Sequence, residues 1–378
     1  RISYVKYVDV QYSDAGGGMR IYAIASADGG GNPNWDFGST WAMWKGDTSS
    51  DFGTAANWDP PGVPDGNTRV LADDATELIV SSPASIRSLL VGGDTQSLMT
   101  VNAALTVGED AAVSRFGRLA LNRPGMVVSN HMKVLEGGIL SHTMNTTTEA
   151  NKLDLAVGGD LTVYAGGAVN VDGKGYWRQC GPGAPTRYRT GGSHGGMGGW
   201  STQGDVGIPG PTYGSICAPT NIGSGGGYYQ GENNGGGAGI LTVAGTTTLA
   251  GTISANGTNT LDGASGGGAG GSVFLTTAAL TGNGTVFATG GAGSANNGPN
   301  GGGGGGRIAV VLTASDTFDA VAMRAYGNFY GACGGGAGTI YLRTQGQAAD
   351  EGALIIDNDN RPANRNTDVS PLVAGTRV

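Results

Sequence analysis

Short apolar or alternating segments recur along most of the chain, and a turn residue follows most of them. Segments 153–157, 240–243 and 307–312 are rich in Val, Leu and Ile, and Gly, Asn or Asp ends many such runs. Alternation with a period of two is typical of strands, and the longer period of amphipathic helices is missing. The pattern therefore predicts an all-β chain and argues against alternating strands and helices.

The spacing of these segments favours a stack of coils. The endings VNVDG (169–173), ISANG (253–257) and FATGG (287–291) resemble one another, as expected when each coil repeats a strand and a turn. Long glycine-rich segments interrupt the strands, above all 173–239. A solenoid accepts such insertions because each coil contacts only its neighbours. We therefore expect a β-solenoid, and the strand count alone leaves a sandwich or barrel as the alternative.

Glycine is 75 of 378 residues, far above the usual share of roughly 7%. If the glycine tracts leave the same side of successive coils, they lie side by side as polyproline-II-like strands, so close that only Gly fits. The alternative is a set of flexible, solvated loops. Aromatic residues among the tracts favour the packed bundle. They are Tyr176, Trp177, Trp200, Tyr213, Tyr228 and Tyr229.

Residues 1–66 differ from the solenoid that we expect over 67–378. Four of the six tryptophans lie in this N-terminal part, with a Pro-Pro turn at 60–61. One interpretation is a cap that closes the exposed end of the solenoid. The other is a sugar-stacking platform formed by Trp41, Trp44 and Trp58.

Two N-terminal stretches carry a more specific resemblance. Residues 7–37 contain SDAGGG, IYA and DGGGNPNW, and residues 44–66 read WKGDTSSDFGTAANWDPPGVPDG. The stretch 7–37 is similar to the closing segment of a β-helix repeat in very large bacterial surface proteins, although Met19, Gly31 and Pro33 depart from it. The stretch 44–66 resembles the entry motif of autotransporter-type β-helix repeats, with Phe52 where Trp is usual. The matching residues are Ser13, Asp14, Ala15, Gly17, Ile21, Tyr22, Ala23, Asp28, Gly29, Gly30, Asn32, Trp35, Trp44, Gly46, Asn57, Trp58 and Pro64.

The block 191–309 is similar to glycine-rich domains of large secreted bacterial proteins. Together these resemblances cover about half of the chain and concern architecture more than activity. They imply a right-handed parallel β-helix in an extracellular or cell-surface protein.

Charge excludes some partners. Only 13% of residues are charged, the net charge is −8, and the 21 Lys and Arg form no basic run, so we expect no nucleic-acid partner. No apolar run reaches the roughly 18 residues of a membrane span, and we expect none. Arg1 is followed directly by the strand-like alternation of 2–11. We therefore interpret the chain as a piece of a longer precursor.

Few residues suggest chemistry. The three cysteines are Cys180, Cys217 and Cys333; we expect a disulfide between the first two that closes a glycine-rich loop, with three buried thiols as the alternative.

Asp172, Asp357 and Asp359 are weak candidates for structural Ca²⁺, although turn chemistry explains them equally well. The histidines, His131, His142 and His194, lack the partners that a catalytic or metal site needs. We expect no other cofactor.

We therefore expect a non-catalytic structural subunit of an extracellular filament, sheath or surface layer. Copies assemble head to tail when the N-terminal strand completes the open end of the next solenoid. The alternative is a glycan- or surface-binding adhesin. A polysaccharide lyase or hydrolase is less favoured because the acidic residues are scattered. The assembly strand comprises Ile2, Tyr4, Val5, Tyr7, Val8 and Val10.

Overall fold

Nearly all regular structure in the chain is β. The computed structural model describes residues 3–16, 21–24, 26–38, 41–122, 125–201, 207–229, 231–260, 263–295, 298–329, 333–348, 351–367 and 369. Over these ranges the single helical element is a 3₁₀ turn at Ala55–Asn57, and no helix is long and apolar enough to cross a membrane. The prediction of an all-β chain is confirmed.

Residues 3–38 form a small unit that we call the N-terminal arm. Strands β1, β3 and β5 make a parallel sheet in which β1 and β5 are the outer strands, and β2 pairs with β4. The arm's strands are β1 Ser3–Lys6, β2 Asp9–Val10, β3 Ile21–Ile24, β4 Ala27–Asp28 and β5 Trp35–Asp36.

Three long sheets account for the rest of the β structure. The strands before the main glycine-rich insertion are β6 Trp41–Trp44, β7 Trp58–Asp59, β8 Arg69–Ala72, β9 Leu78–Val80, β10 Ala84–Ile86, β11 Ser88–Val91, β12 Ser97–Val101, β13 Leu105–Val107, β14 Ala111–Val113, β15 Gly117–Leu121, β16 Met126–Val128, β17 Met132–Val134, β18 Ile139–Ser141, β19 Leu153–Val157, β20 Leu161–Val163 and β21 Ala168–Asn170. Those after it are β22 Ala238–Val243, β23 Thr246–Leu249, β24 Thr252–Ser254, β25 Ser272–Thr277, β26 Ala279–Gly282, β27 Thr285–Phe287, β28 Arg307–Leu312, β29 Ala322–Arg324, β30 Thr339–Arg343 and β31 Ala353–Ile355.

Consecutive strands enter the three sheets in a repeating order. Sheet 1 runs β7-β6-β8-β11-β14-β17-β20-β23-β26, sheet 2 runs β9-β12-β15-β18-β21-β24-β27-β29, and sheet 3 runs β10-β13-β16-β19-β22-β25-β28-β30-β31. Each strand pairs in parallel with the strand one circuit later; Ala84 lies beside Leu105, and Leu105 beside Met126. The exceptions are antiparallel β7 and β31, at opposite ends. This order is compatible with a β-solenoid.

The core lies between the three sheets, because strand residues alternate between inward and outward directions. In β19, for example, the first, third and fifth residues are buried. Aliphatic side chains therefore stack in register from one strand to the next. One such stack in sheet 3 runs Leu105, Met126, Leu155, Leu241, Leu275 and Val310.

The long insertions all lie at the same connection, between a strand of sheet 2 and a strand of sheet 3. Residues 171–237, 255–271, 288–306 and 325–338 each connect a strand of sheet 2 to a strand of sheet 3, in four successive circuits. We call the described parts of these four segments the glycine bundle. The four insertions therefore occupy equivalent places in successive repeats of the strand order.

Candidate functional site

Glycines of the bundle pack backbone against backbone. Gly192 donates its N–H to the carbonyl of Gly267 (3.0 Å) and accepts from Gly304 (3.0 Å), and Gly199 donates to Gly302 (2.8 Å). The segment 301–306 is buried throughout. These contacts favour an ordered bundle over solvated loops, because the tracts satisfy one another's amide groups.

Close approach, rather than an unusual backbone angle, explains the glycine at position 303. A Cβ atom there would lie 1.9 Å from the carbonyl oxygen of Gly268, and at Gly302 it would lie 1.8 Å from that of Asn328. Neither glycine has a positive φ. Six glycines therefore adjoin the apolar β28 because the incoming chain passes between other backbones.

Polar side chains tie the bundle to sheet 3. The buried Arg307 guanidinium donates from Nε to the carbonyl of Tyr213 (2.9 Å) and from Nη1 to Thr339 Oγ1 (3.1 Å). Nδ1 of His194 lies 2.8 Å from the carbonyl oxygen of Gly270, and its ring packs on that of Tyr213. Burial, with the Arg307 charge, lowers the pKa of His194 to about 3. His194 is thus a neutral packing residue at ordinary pH.

The tryptophans predicted to stack on sugars are buried. Trp58 is 1% exposed and packs edge-on against Trp44 and Phe52, at ring-centroid distances of 5.0 and 5.2 Å. Its Nε1 donates to the Phe52 carbonyl (2.9 Å). The ring of Trp41 is buried with Ile24 beneath the N-terminal arm. The expectation of an open platform at Trp41, Trp44 and Trp58 was wrong, because these rings fill the core and its outer cover.

Burial of these rings agrees with the cap interpretation. β7 lies antiparallel at the outer edge of β6 and ends sheet 1. Asp51 forms an isolated parallel β-bridge with Ile79 of β9, the first strand of sheet 2. The segment that carries Trp44, Phe52 and Trp58 therefore covers the first circuit of the core.

The N-terminal arm covers the outer face of sheet 1. Ile24 packs there with Met43, Leu71 and Leu90, and Lys6 forms an ion pair with Asp73 (2.5 Å). Of the residues expected in the assembly strand, Val5, Val8 and Val10 are half-buried and Tyr7 is 69% exposed. Ile2 and the side chain of Tyr4 lie outside the described residues.

The three cysteines are free thiols. Cys180 packs with Tyr176 and Ile222, whereas Cys217 packs with Ile216 and Tyr341. The disulfide expected between Cys180 and Cys217 is therefore wrong for this structure, because the two sulfurs belong to different apolar clusters.

The Ca²⁺ candidates make turn contacts. Asp172 accepts the N–H of Asn256 (2.6 Å), and Asp357 accepts that of Asp359 (2.7 Å). Burial raises the pKa of Asp172. Over the described ranges no group of three or more His, Cys, Asp or Glu could hold a metal ion, so the structure does not bring these carboxylates together as a ligand set.

A strained aromatic residue lines a surface cleft where the chain passes from sheet 1 to sheet 2. Phe116 has φ 63°, in the left-handed region, and is 38% exposed. The guanidinium of Arg115 lies 4.4 Å from its ring centroid. Such a backbone angle is uncommon for a bulky residue and is a reason to ask what the side chain does.

The two clefts share Gly137. The corner cleft, of about 850 Å³, is lined by Ser114, Arg115, Leu135, Glu136, Gly137, Tyr164 and Ala165. The sheet cleft, of about 600 Å³, is lined by Ala75, Gln96, Ser97, Leu98, Phe116, Gly117, Arg118, Gly137 and Ile139.

The sequence held a signal for this site that the strand pattern did not reveal. Val113, Val134 and Val163 lie in register on successive strands. The third residue after them is Phe116, Gly137 (φ 74°) and Gly166 (φ 77°), respectively. Aligning SRFGRL, LEGGIL and YAGGAV shows Phe at a position that is otherwise Gly.

No family model matches the chain, and no curated protein or solved structure matches it either.

Proposed function

We propose that the protein is a structural subunit of an extracellular filament, sheath or surface layer, built as a right-handed parallel β-helix with a polyproline-II-like glycine bundle. The cyclic strand order supports the β-helix, and chirality favours right-handed crossovers. Glycines such as Gly302 and Gly303, which lack positive φ angles and hydrogen-bond to neighbouring tracts, support the bundle. Similarity of residues 7–37 and 44–66 to bacterial surface repeats supports the location.

An apolar cleft at the last circuit carries the assembly proposal. It encloses about 370 Å³ and is lined by Phe318, Val321, Met323, Leu342 and Ile355, among others. Within the described ranges, sheet 1 stops at β26 and sheet 2 at β29. An end with half-buried apolar side chains and terminal strands is suited to receive another strand.

The N-terminal arm of a second copy is the occupant that we propose. β1 is an outer strand of its small sheet, so one of its edges is available without separating it from β3. The half-buried Val5 lies in β1, and the half-buried Val8 and Val10 follow it in the chain as further apolar side chains of the arm. Joining the arm of one copy to the far end of another is a heterologous contact, which repeats into a filament.

Negative-stain electron microscopy of the full chain tests this proposal. We expect ordered filaments, and we expect their loss without unfolding when residues 1–12 are deleted. Val10→Lys should disrupt them, whereas Asp9→Lys, at an exposed neighbouring position, should leave them intact. Isolated rods from the full chain would overturn the proposal, as would filaments that persist after the deletion.

A glycan-binding adhesin remains the second candidate. It no longer rests on the buried tryptophans, and the exposed Phe116 in the sheet cleft is the observation that favours it. A polysaccharide-cleaving enzyme has no comparable observation in its favour.

A further inference from the structure

We propose that Phe116 and the two clefts that meet at Gly137, the sheet cleft lined by Phe116 and the corner cleft lined by its chain neighbour Arg115, form a binding site for an acidic oligosaccharide. The inference does not depend on filament formation. It rests on backbone strain, aromatic exposure, cleft shape and charge, all at one corner of the solenoid.

The strained backbone at Phe116 points to a role for its side chain other than folding. Gly137 and Gly166 occupy the equivalent left-handed positions of the next two circuits, where glycine adopts that angle without a Cβ clash. Phe has a Cβ and is disfavoured there. Its ring does not offset this backbone strain by packing in the core, because the side chain is 38% exposed.

Aromatic and aliphatic side chains supply the surface on which sugar rings would stack. Phe116 and Tyr164 are each 38% exposed, and Leu98 is 37% exposed. Apolar faces of pyranose rings pack on such aromatic groups, while the Tyr hydroxyl remains available for hydrogen bonding. The clefts follow the stacking direction from Ala75 through Tyr164. Adjacent strands lie about 4.8 Å apart, so this span is roughly 19 Å, enough for several linked sugars.

Charge favours an acidic ligand. Arg115 lines the corner cleft and Arg118 the sheet cleft. Both are exposed, and over the described ranges neither guanidinium forms an ion pair with a carboxylate. A guanidinium binds a carboxylate through two parallel hydrogen bonds. Two arginines beside one acidic residue, Glu136, form a positive site on a chain of net charge −8.

Isothermal titration of the full chain with tetragalacturonate, a hyaluronan tetrasaccharide and a heparin tetrasaccharide tests the site, with maltotetraose as the neutral comparison. We expect at least one acidic tetrasaccharide to bind more tightly than maltotetraose, and binding to weaken with added salt. Phe116→Gly should weaken it at least tenfold without lowering the melting temperature. The double variant Arg115→Gln, Arg118→Gln should also weaken binding at least tenfold.

Tyr229→Ala is the matched control, since Tyr229 is an exposed aromatic residue outside the two clefts, and it should leave binding unchanged. Absence of binding by all three acidic sugars overturns the proposal. So does equal binding by wild type and Phe116→Gly, or equal affinity for maltotetraose. If Phe116→Gly abolishes filaments instead of sugar binding, the clefts contact another copy, and the saccharide proposal fails while the structural function stands.

Discussion

The imidazole of His142 accepts a backbone hydrogen bond from Ala238, 96 residues later in the chain. The distance from Ala238 N to Nε2 is 3.2 Å, and Nδ1 lies 2.8 Å from the carbonyl oxygen of Thr143. Because Nε2 accepts, the ring is neutral and its proton is on Nδ1, donated to Thr143. His142 thus fixes the point where the main glycine-rich insertion returns to β22, and only the neutral ring makes both contacts.

Stability should therefore fall as the solution becomes acidic. Burial, together with the charges of Lys174 and Lys152, lowers the pKa of His142 from 6.5 to about 4. Between these two pKa values the unfolded chain takes up a proton that the folded chain does not. The neutral His142 ring therefore contributes its full share to the free energy of unfolding above pH 6.5, and this share is lost as the pH falls toward 4. We expect a loss of about 2 kcal/mol from His142 alone by pH 5.

Urea unfolding at pH 7.5 and pH 5, followed by tryptophan fluorescence, measures this loss. His142→Gln should be less stable at pH 7.5 and should show a smaller change between the two pH values. His131→Gln is the control, because His131 is exposed, and it should lower the stability at pH 7.5 less than His142→Gln does. Equal stability of wild type at both pH values would contradict the expectation.

Packing in the glycine bundle makes a second prediction. Gly303→Ala would place a Cβ 1.9 Å from the carbonyl oxygen of Gly268, and backbone atoms on both sides would have to move. We expect the free energy of unfolding to fall by about 1–3 kcal/mol. Gly239→Ala is the control, because no atom lies within 4 Å of its added Cβ, and removing glycine from a strand should leave stability unchanged or raise it by about 0.5–1 kcal/mol. Similar losses in both variants would mean that the tracts are not tightly packed.

Much of the strand architecture can be predicted from the sequence, but whether a given side chain lies in the core or on the surface cannot. Alternation in segments such as 153–157 marks strands directly, and the register of Leu155 with Leu241 tolerates the long insertion between them. The direction of Trp58 was not accessible, because an aromatic residue suits a surface platform and a core equally. The predicted disulfide between Cys180 and Cys217 was wrong for a similar reason, because their spacing along the chain does not fix the distance between their sulfurs.

The cysteines make a third prediction. Because all three are thiols, a reducing agent should leave the melting temperature unchanged, and denatured protein should react with three equivalents of a thiol reagent. Before denaturation Cys333, which is fully buried, should be protected. Cys217 should react slowly, because burial raises its pKa and the thiolate is the reactive form. A melting temperature that falls on reduction would instead indicate a disulfide. Cys180→Ser should melt at the same temperature as the wild type, with and without the reducing agent.

Phe116 makes the last prediction, which concerns stability alone. A left-handed backbone angle at a non-glycine residue costs about 1–3 kcal/mol, and Phe116→Gly removes that strain. Against this gain stand the flexibility of glycine in the unfolded chain, about 0.5–1 kcal/mol, and the contact with Arg115, about 0.5–1 kcal/mol. At the middle of each range the gain is about 2 kcal/mol and the combined loss about 1.5 kcal/mol, so we expect the variant to be as stable as the wild type or slightly more stable, by urea unfolding.

Phe52→Ala is the contrasting variant, because Phe52 is 5% exposed and packs against Trp58. It should lose about 3–5 kcal/mol, the usual cost of removing a buried aromatic side chain. Phe116→Ala, which removes the ring but keeps a Cβ at the left-handed angle, should be less stable than Phe116→Gly. If Phe116→Gly instead loses as much stability as Phe52→Ala, the ring is a structural element of the corner, and its strain needs no ligand to explain it.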